Sequence, residues 1–408
     1  MKRSSSDSLE STTKQKEPKR VHPFFTEKPK NNSMKRSIRW ISTVDSVLFG
    51  KSSGNEQGRS KIAAFDLDGT LITTKSGRVH AKDENDWQWW HTSVQSKIEN
   101  LHQQGYKIVV FSNQNGLNTE TRINGFKSKA AAILSQISIP VCIFAALHKD
   151  IYRKPSTGMW DLLEKEANDG VIIDKSNSLF VGDAAGRQDG WKPKLKKDHS
   201  CVDRKFAANI GIEFKTPEEF FLNEPKAPFT WGPFDPHIID KDSTLNIPEL
   251  GPKPHVVVFV GCPASGKSRF AKKYLVPKGY IYVNQDTLKT RNKCVAVAKE
   301  AIEEGKSVVI DNTNPEASTR ALYIRLAKNA GVSVHCLYFT ADEHLSRHNN
   351  YYRALNPPHD REVLGDIVFR TYKAKLQEPK ESEGFDTIHK IPFIFEGPDL
   401  EGWQKWWI

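Results

Sequence analysis

Four short segments in the first half of this sequence carry side chains whose types and spacing suit phosphate chemistry. In AAFDLDGTL, Asp66 and Asp68 follow an apolar run and precede Gly69 and Thr70. Carboxylates two positions apart at a strand end point the same way. Their repulsion is relieved when a divalent cation lies between them and a substrate phosphate. The bland alternative is an Asp-Gly hairpin turn with no further role. A second apolar run, YKIVVFSN, ends in Ser112 and Asn113, neutral donors of the type that hold a phosphoryl oxygen. Lys154 in YRKPSTG is a cation able to neutralise developing charge, and Asp183 in LFVGDAAGR again follows an apolar run. Taken singly these are a turn, a solvated lysine and a helix cap. Their order at successive strand ends makes one site, because open parallel sheets bind ligands at the carboxyl ends of their strands.

The second half carries VVVFVGCPASGKSRF, where an apolar strand runs into Gly261, four residues, then Gly266, Lys267 and Ser268. This is the full P-loop spacing. The backbone from Gly261 through Ser265 to Gly266 can wrap phosphates, Lys267 can reach the β and γ groups, and Ser268 can ligate Mg²⁺. The motif implies a nucleoside triphosphate, with ATP the expected donor, and leaves the acceptor open. Asp286 in YVNQDTL follows the next apolar run and could take a proton from an acceptor hydroxyl, or could cap the following helix. Asp311 ends SVVIDNTN in the position of a metal-organising acid. Arg347 and Arg353 in RHNNYYR could fold over the γ-phosphate, or could lie on a solvated helix face.

The elements that must position these residues follow one rhythm: short β-rich apolar runs separated by helical stretches, as in a parallel α/β sheet. The rhythm lapses between residues 222 and 254, a stretch holding seven of the chain's 22 prolines, and then resumes. The expected organisation is therefore a tail over 1–35, an α/β domain over 36–221, an extended semi-rigid connector over 222–254 and a second α/β domain over 255–408. The tail is rich in Ser, Thr, Lys, Pro and Asn and is expected to be disordered. Its cluster Lys14, Lys16, Lys19 and Arg20 would serve nuclear import or a weak phosphate-binding arm.

With 408 residues the chain is long enough for two or three domains, and no apolar run approaches a bilayer span. Five scattered cysteines argue against a disulfide framework or a cysteine zinc site. The net charge of +11 invites a nucleic-acid partner, yet residues 1–60 hold +7 of it and the remaining 348 only +4. Trp87, Trp89, Trp90, Trp403, Trp406 and Trp407 are expected in cores or docking surfaces before base stacking.

The first set of motifs, DLDGT, SN, K and GD, resembles the haloacid dehalogenase superfamily of phosphatases. The resemblance implies a Rossmann-like fold in which Asp66 attacks phosphorus to form an aspartyl-phosphate and Asp68 acts as general acid and base. It further implies Mg²⁺ held by Asp66, the Asp68 backbone carbonyl and Asp183. Only 45 positions separate Asp68 from Asn113, too few for the cap domain of many members, so an open site is expected.

The second set, VGCPASGKS, NQDT, DNTNP and RHNNYYR, resembles P-loop kinases, and the two sets together resemble the eukaryotic polynucleotide kinase 3′-phosphatases. This family resemblance implies healing of DNA strand-break ends in the nucleus: removal of 3′-phosphates and ATP-dependent phosphorylation of 5′-hydroxyls. A monomer is expected. The short tail leaves no room for the phosphopeptide-binding forkhead-associated domain of animal members, and Lys289 stands where the phage kinase has an arginine, so neither property is carried over. RNA ends, or a metabolic phosphatase fused to a small-molecule kinase, are the alternative readings.

Overall fold

Runs of Val, Ile, Phe and Ala only five to eight residues long bury both faces of a strand when helices cover the sheet on each side, and this chain forms two such sheets. The computed structural model describes residues 37–52, 57–239, 245–358 and 361–408. The tail and its basic cluster lie outside the described residues. Residues 36–408 form one compact unit.

In the first half, β1 (Ile38–Ile41) and β2 (Val47–Ser52) precede β3 (Lys61–Phe65), the small antiparallel pair β4 (Ile72–Thr73) and β5 (Gln88–Trp89), and α1 (Val94–Gln103). Then come β6 (Tyr106–Asn113), α2 (Glu120–Leu134), β7 (Val141–Ala146), α3 (Gly158–Glu166), β8 (Leu179–Val181), α4 (Val202–Ile210), β9 (Glu213–Lys215) and α5 (Pro217–Phe221). The main sheet has the order β1-β2-β7-β6-β3-β8-β9. The five strands from β7 to β9 are parallel, and β1 and β2 extend the edge antiparallel. That extension was not legible in the alternation of runs. Along β3, Ala63 and Phe65 face one hydrophobic core while Ile62 and Ala64 face the other.

The second half runs β10 (His255–Gly261), α6 (Lys267–Phe270), β11 (Ile281–Val283), α7 (Gln285–Leu288), α8 (Arg291–Glu303), β12 (Val308–Ile310), α9 (Ala317–Asn329) and β13 (Ser333–Phe339). It closes with α10 (Glu343–Leu355), α11 (Asp366–Lys375), β14 (Thr387–Ile391) and α12 (Leu400–Gln404). Its five-stranded sheet is wholly parallel, in the order β11-β12-β10-β13-β14. Val256, Val258 and Val260 face one core, and Val257 and Phe259 face the other.

The described residues of the proline-rich segment, 222–239 and 245–254, are packed against both halves. Thr230 donates its backbone N–H to the Gly186 carbonyl at 3.0 Å, and Arg204 lies 3.6 Å over the Phe229 ring. Trp231 stacks on Trp406 with centroids 5.0 Å apart, and Phe234 packs on His348 and Trp403. Leu245, Ile247 and Leu250 lie against the second domain's core. On the first domain's side, Asn209 donates to the Trp406 carbonyl and accepts from the Trp406 N–H, both at 2.8 Å. The buried tryptophans therefore join domains or fill cores. All five cysteines are buried and none forms a disulfide, and no helix among the described residues is long and apolar enough to cross a membrane.

Candidate active sites

β3 ends at Phe65, and the ladder to β8 continues one step further through the Asp66 N–H, which donates to the Val181 carbonyl at 2.8 Å. Gly69 turns the chain with φ of +87°, and a Cβ there would sit 2.5 Å from an Asp183 carboxylate oxygen. Gly182 allows a matching approach, since its Cβ would meet an Asp203 oxygen at 2.5 Å. These two close approaches gather the carboxylates of Asp66, Asp183 and Asp203 to within 4.8 Å of one another. Lys154, only 2% exposed, bridges two of them: Nζ lies 2.7 Å from an Asp66 oxygen and 2.7 Å from an Asp203 oxygen.

The electrostatics follow from burial. Asp66 is pushed up to about 7, chiefly by loss of solvent and against the pull of Lys154, with Asp203 adding repulsion. Burial, then Asp66 and Asp203, hold the Asp183 carboxyl well above the usual range. Burial alone would lower the Lys154 ammonium, but Asp203 and Asp66 outweigh it and the net shift is upward. Three carboxylates against one ammonium leave surplus negative charge in a water-poor pocket. Among the described residues the buried Thr70 hydroxyl has no partner. A set of hard oxygen donors with surplus charge fits Mg²⁺.

One expectation is corrected here. Asp66 and Asp68 do not share a strand, because β3 has already ended at Phe65, although the Asp68 charge still acts on Asp66. The Asp68 side chain, 50% exposed, takes hydrogen bonds from Lys129 and from Gln114, each at 2.8 Å. The Asn113 amide accepts from the Lys154 N–H at 2.9 Å and donates one of its two N–H groups to the Lys154 carbonyl at 3.0 Å, which fixes it against that backbone and leaves the other N–H to donate. Ser112 is as expected at the strand end. Its oxygen accepts from Gln114 at 2.9 Å, which leaves the hydroxyl proton to donate.

In the second domain, β10 delivers Gly261 beside β13, opposite Phe339, where a Cβ would meet that residue at 2.8 Å, and Gly266 turns with φ of +95°. Lys267 is folded back on its own loop, with Nζ 2.9 Å from the Gly261 carbonyl, 2.6 Å from that of Cys262 and 3.3 Å from the Ser265 hydroxyl. Burial lowers it to about 8, with Asp311 opposing. Asp311, 2% exposed, accepts from the Tyr282 hydroxyl at 2.5 Å. The capping role considered for Asp286 belongs to Asn284, whose side chain accepts from the N–H groups of Asp286 and Thr287. The Asp286 carboxylate is exposed and has no hydrogen bond among the described residues.

Arg347 and Arg353 separate. Arg353 lines a cavity of about 670 Å³ over the P-loop, together with Lys267, Ser268, Asn349, Arg361 and Trp403. Arg347 does not line it. Its guanidinium is paired with Glu343 at 2.9 Å and with Asp366, and lies over the Phe369 ring, so it ties α10 to α11. A second cavity, of about 440 Å³, opens on the other side of the loop between Gln285, Arg291, Asn312, Tyr323, Tyr372 and Lys375. Asp203, Lys129, Gln114, Asn349 and Arg361 were not anticipated. Asn349 lies within RHNNYYR and Gln114 directly follows β6, so both were within reach of the motifs; Asp203, Lys129 and Arg361 fall in no spaced motif.

Residues 61–221 match the family described as "Polynucleotide kinase 3 phosphatase", and residues 256–379 match the "AAA domain". A bifunctional polynucleotide phosphatase/kinase of Schizosaccharomyces pombe is 41% identical over 377 residues, covering 91% of this chain and 89% of its own. The chain belongs to the bifunctional polynucleotide phosphatase/kinase family. A putative member from Acanthamoeba polyphaga mimivirus is 34% identical over 406 residues, covering 92% of this chain and 94% of its own. A polynucleotide 3′-phosphatase of Saccharomyces cerevisiae is 28% identical over 227 residues, 42% of this chain and 92% of that protein. The two α/β domains of this family member are thus a phosphatase domain and a P-loop kinase domain.

Proposed function

We propose that this chain heals DNA strand-break ends, with the first domain hydrolysing 3′-phosphates and the second transferring the γ-phosphate of ATP to 5′-hydroxyls. The observation that carries the reading is the presence, in one compact unit, of a carboxylate–lysine pocket at one sheet end and an intact P-loop at the other. At the phosphatase site an Asp66 oxygen attacks phosphorus, the bond to the 3′ oxygen breaks, and Asp68 protonates that leaving oxygen. Asp68 then takes a proton from the water that releases phosphate and regenerates Asp66. Lys154 stays charged between Asp66 and Asp203 and offsets the charge that builds on the phosphoryl oxygens, while Ser112 donates to one of them. Mg²⁺ would be held by Asp66, Asp183 and the Asp68 backbone carbonyl, where it would keep Asp66 ionised and screen the phosphate.

At the kinase site Lys267 exchanges the carbonyls of Gly261 and Cys262 for the ATP phosphates. Arg353 adds positive charge over the γ group, Asp286 accepts the proton of the 5′-hydroxyl, and Ser268 with Asp311 would hold the second Mg²⁺. The basic cluster at residues 14–20 supports a nuclear location. An oligonucleotide pair carrying a 3′-phosphate and a 5′-hydroxyl tests the reading. Asp66→Asn is expected to abolish 3′ dephosphorylation and spare 5′ phosphorylation, and Lys267→Ala to do the reverse. Loss of both activities in either variant would refute two independent sites.

A further inference from the structure

The P-loop contains one non-glycine residue in the left-handed region, Ala264, with φ of +62°. That backbone state is disfavoured for a residue with a Cβ, so neighbouring contacts must hold it. One contact is in place: the Asn349 side-chain amide, on α10, donates to the Ala264 carbonyl at 3.1 Å. An amide can turn end for end, and in the reversed orientation its oxygen would face that carbonyl and repel it. The orientation is set from the other side by Trp403, whose indole N–H donates to the Asn349 oxygen at 2.8 Å. Trp403 is only 1% exposed and is itself fixed. Its carbonyl is 2.7 Å from the His348 Nε2, and its ring packs on Phe393 and Phe395 with centroids 5.7 and 5.4 Å away. Ala264, Asn349 and Trp403 all line the 670 Å³ cavity.

We propose that Asn349 is a positioning residue for the phosphate-binding loop and that Trp403 selects its working amide orientation. The relay Trp403–Asn349–Ala264 keeps the loop's N–H groups turned toward the phosphates before the nucleotide arrives, so its loss weakens nucleotide binding and leaves the phosphoryl step itself in place. The inference rests on reading this cavity as the ATP site.

The test is steady-state kinase kinetics on the full chain, with 3′-phosphatase activity and thermal midpoint measured on the same preparations. Asn349→Ala is expected to raise KM for ATP about tenfold with kcat within about twofold, the ratio that corresponds to one lost hydrogen bond. Trp403→Phe keeps the ring and removes the N–H, and is expected to raise KM in the same direction by less. The double variant is expected to match Asn349→Ala alone, because both residues act through one bond. An unchanged KM in Asn349→Ala, additive effects in the double variant, or a parallel loss of phosphatase activity would overturn the proposal. A wild-type chain without ATP-dependent phosphorylation would instead refute the reading of the site.

Discussion

Removing Asp203 is expected to damage the phosphatase domain from a position that is not itself the nucleophile. Its carboxylate holds Lys154 at 2.7 Å with one oxygen and accepts the Ala184 N–H at 3.1 Å with the other, and it is 2% exposed. Asp203→Ala leaves the buried ammonium with Asp66 as its one ion-pair partner and strands the Ala184 N–H. Breaking a buried pair costs about 3–5 kcal/mol when a charge is left uncompensated. Here the second carboxylate remains, so about 2 kcal/mol from the ion pair and about 1–2 kcal/mol from the orphaned N–H give a total near 3–4 kcal/mol. Asp203→Asn keeps an oxygen for Ala184 and loses only charge, at about 2 kcal/mol. In a domain of this size the alanine variant should lower the phosphatase-domain melting midpoint by about 6–12 °C and the asparagine variant by about half that. Freed from Asp203, Lys154 no longer holds its place against the attacking oxygen, and the 3′-phosphatase kcat is expected to fall about a hundredfold. The same samples should phosphorylate 5′-hydroxyls at the wild-type rate. A melting midpoint within 1–2 °C of wild type in Asp203→Ala, or an undiminished phosphatase kcat, would refute the claim that Asp203 anchors Lys154.

The two arginines of α10 are expected to behave differently. Arg353→Ala should raise KM for ATP tenfold or more, to judge by its place in the cavity wall, about 1.4 kcal/mol of lost attraction. Arg347→Ala should leave that KM unchanged and cost about 1–2 kcal/mol of stability in urea unfolding, since its partners are Glu343 and Asp366. Stability should also fall in mild acid through His348. Burial lowers its imidazole to about 4, against the Trp403 carbonyl's upward pull, and its ordinary value is 6.5. The unfolded chain therefore takes up this proton as pH falls through 6.5, while the folded chain takes it up only near 4. The domain loses stability across that window, by up to about 3 kcal/mol, and His348→Gln should flatten that part of the profile in urea melts taken from pH 7 to pH 4.

Most of the residues gathered at the two candidate sites could be read from local sequence, because each depends on neighbours within a few positions. A P-loop is specified by glycines at the points where the backbone needs their freedom, and Gly266 takes up the positive φ the motif requires. Asp66, Asp183 and Asp286 each follow a short apolar run, and apolar runs of that length become strands whichever partners they find. The two-domain division follows from the same local alternation. Where inference from spacing failed, the deciding contact came from far along the chain. Asn113 ends a strand, as read, but what orients its amide is the backbone of Lys154, 41 positions away. Arg347 was read with Arg353 because both sit in one polar helix, but Asp366 and Phe369 claim it. Asp66 and Asp68 were put on one strand by periodicity, and β3 ends at Phe65, before either of them.

By itself the sequence determined which chemical groups are available, which loops can bend around phosphate, and that the parallel strands of two sheets would present those loops at their carboxyl edges. These properties reside in φ and ψ preferences and in the period of apolar residues, both local. Only the tertiary structure decided which carboxylates share Lys154, which arginine faces the nucleotide cavity, and that the proline-rich connector and Trp406 join the two domains. Those outcomes depend on which side chains meet once water is excluded. A hydrogen bond such as Trp403 to Asn349 takes its direction from the packing around it, and nothing in the spacing of the two residues encodes that direction.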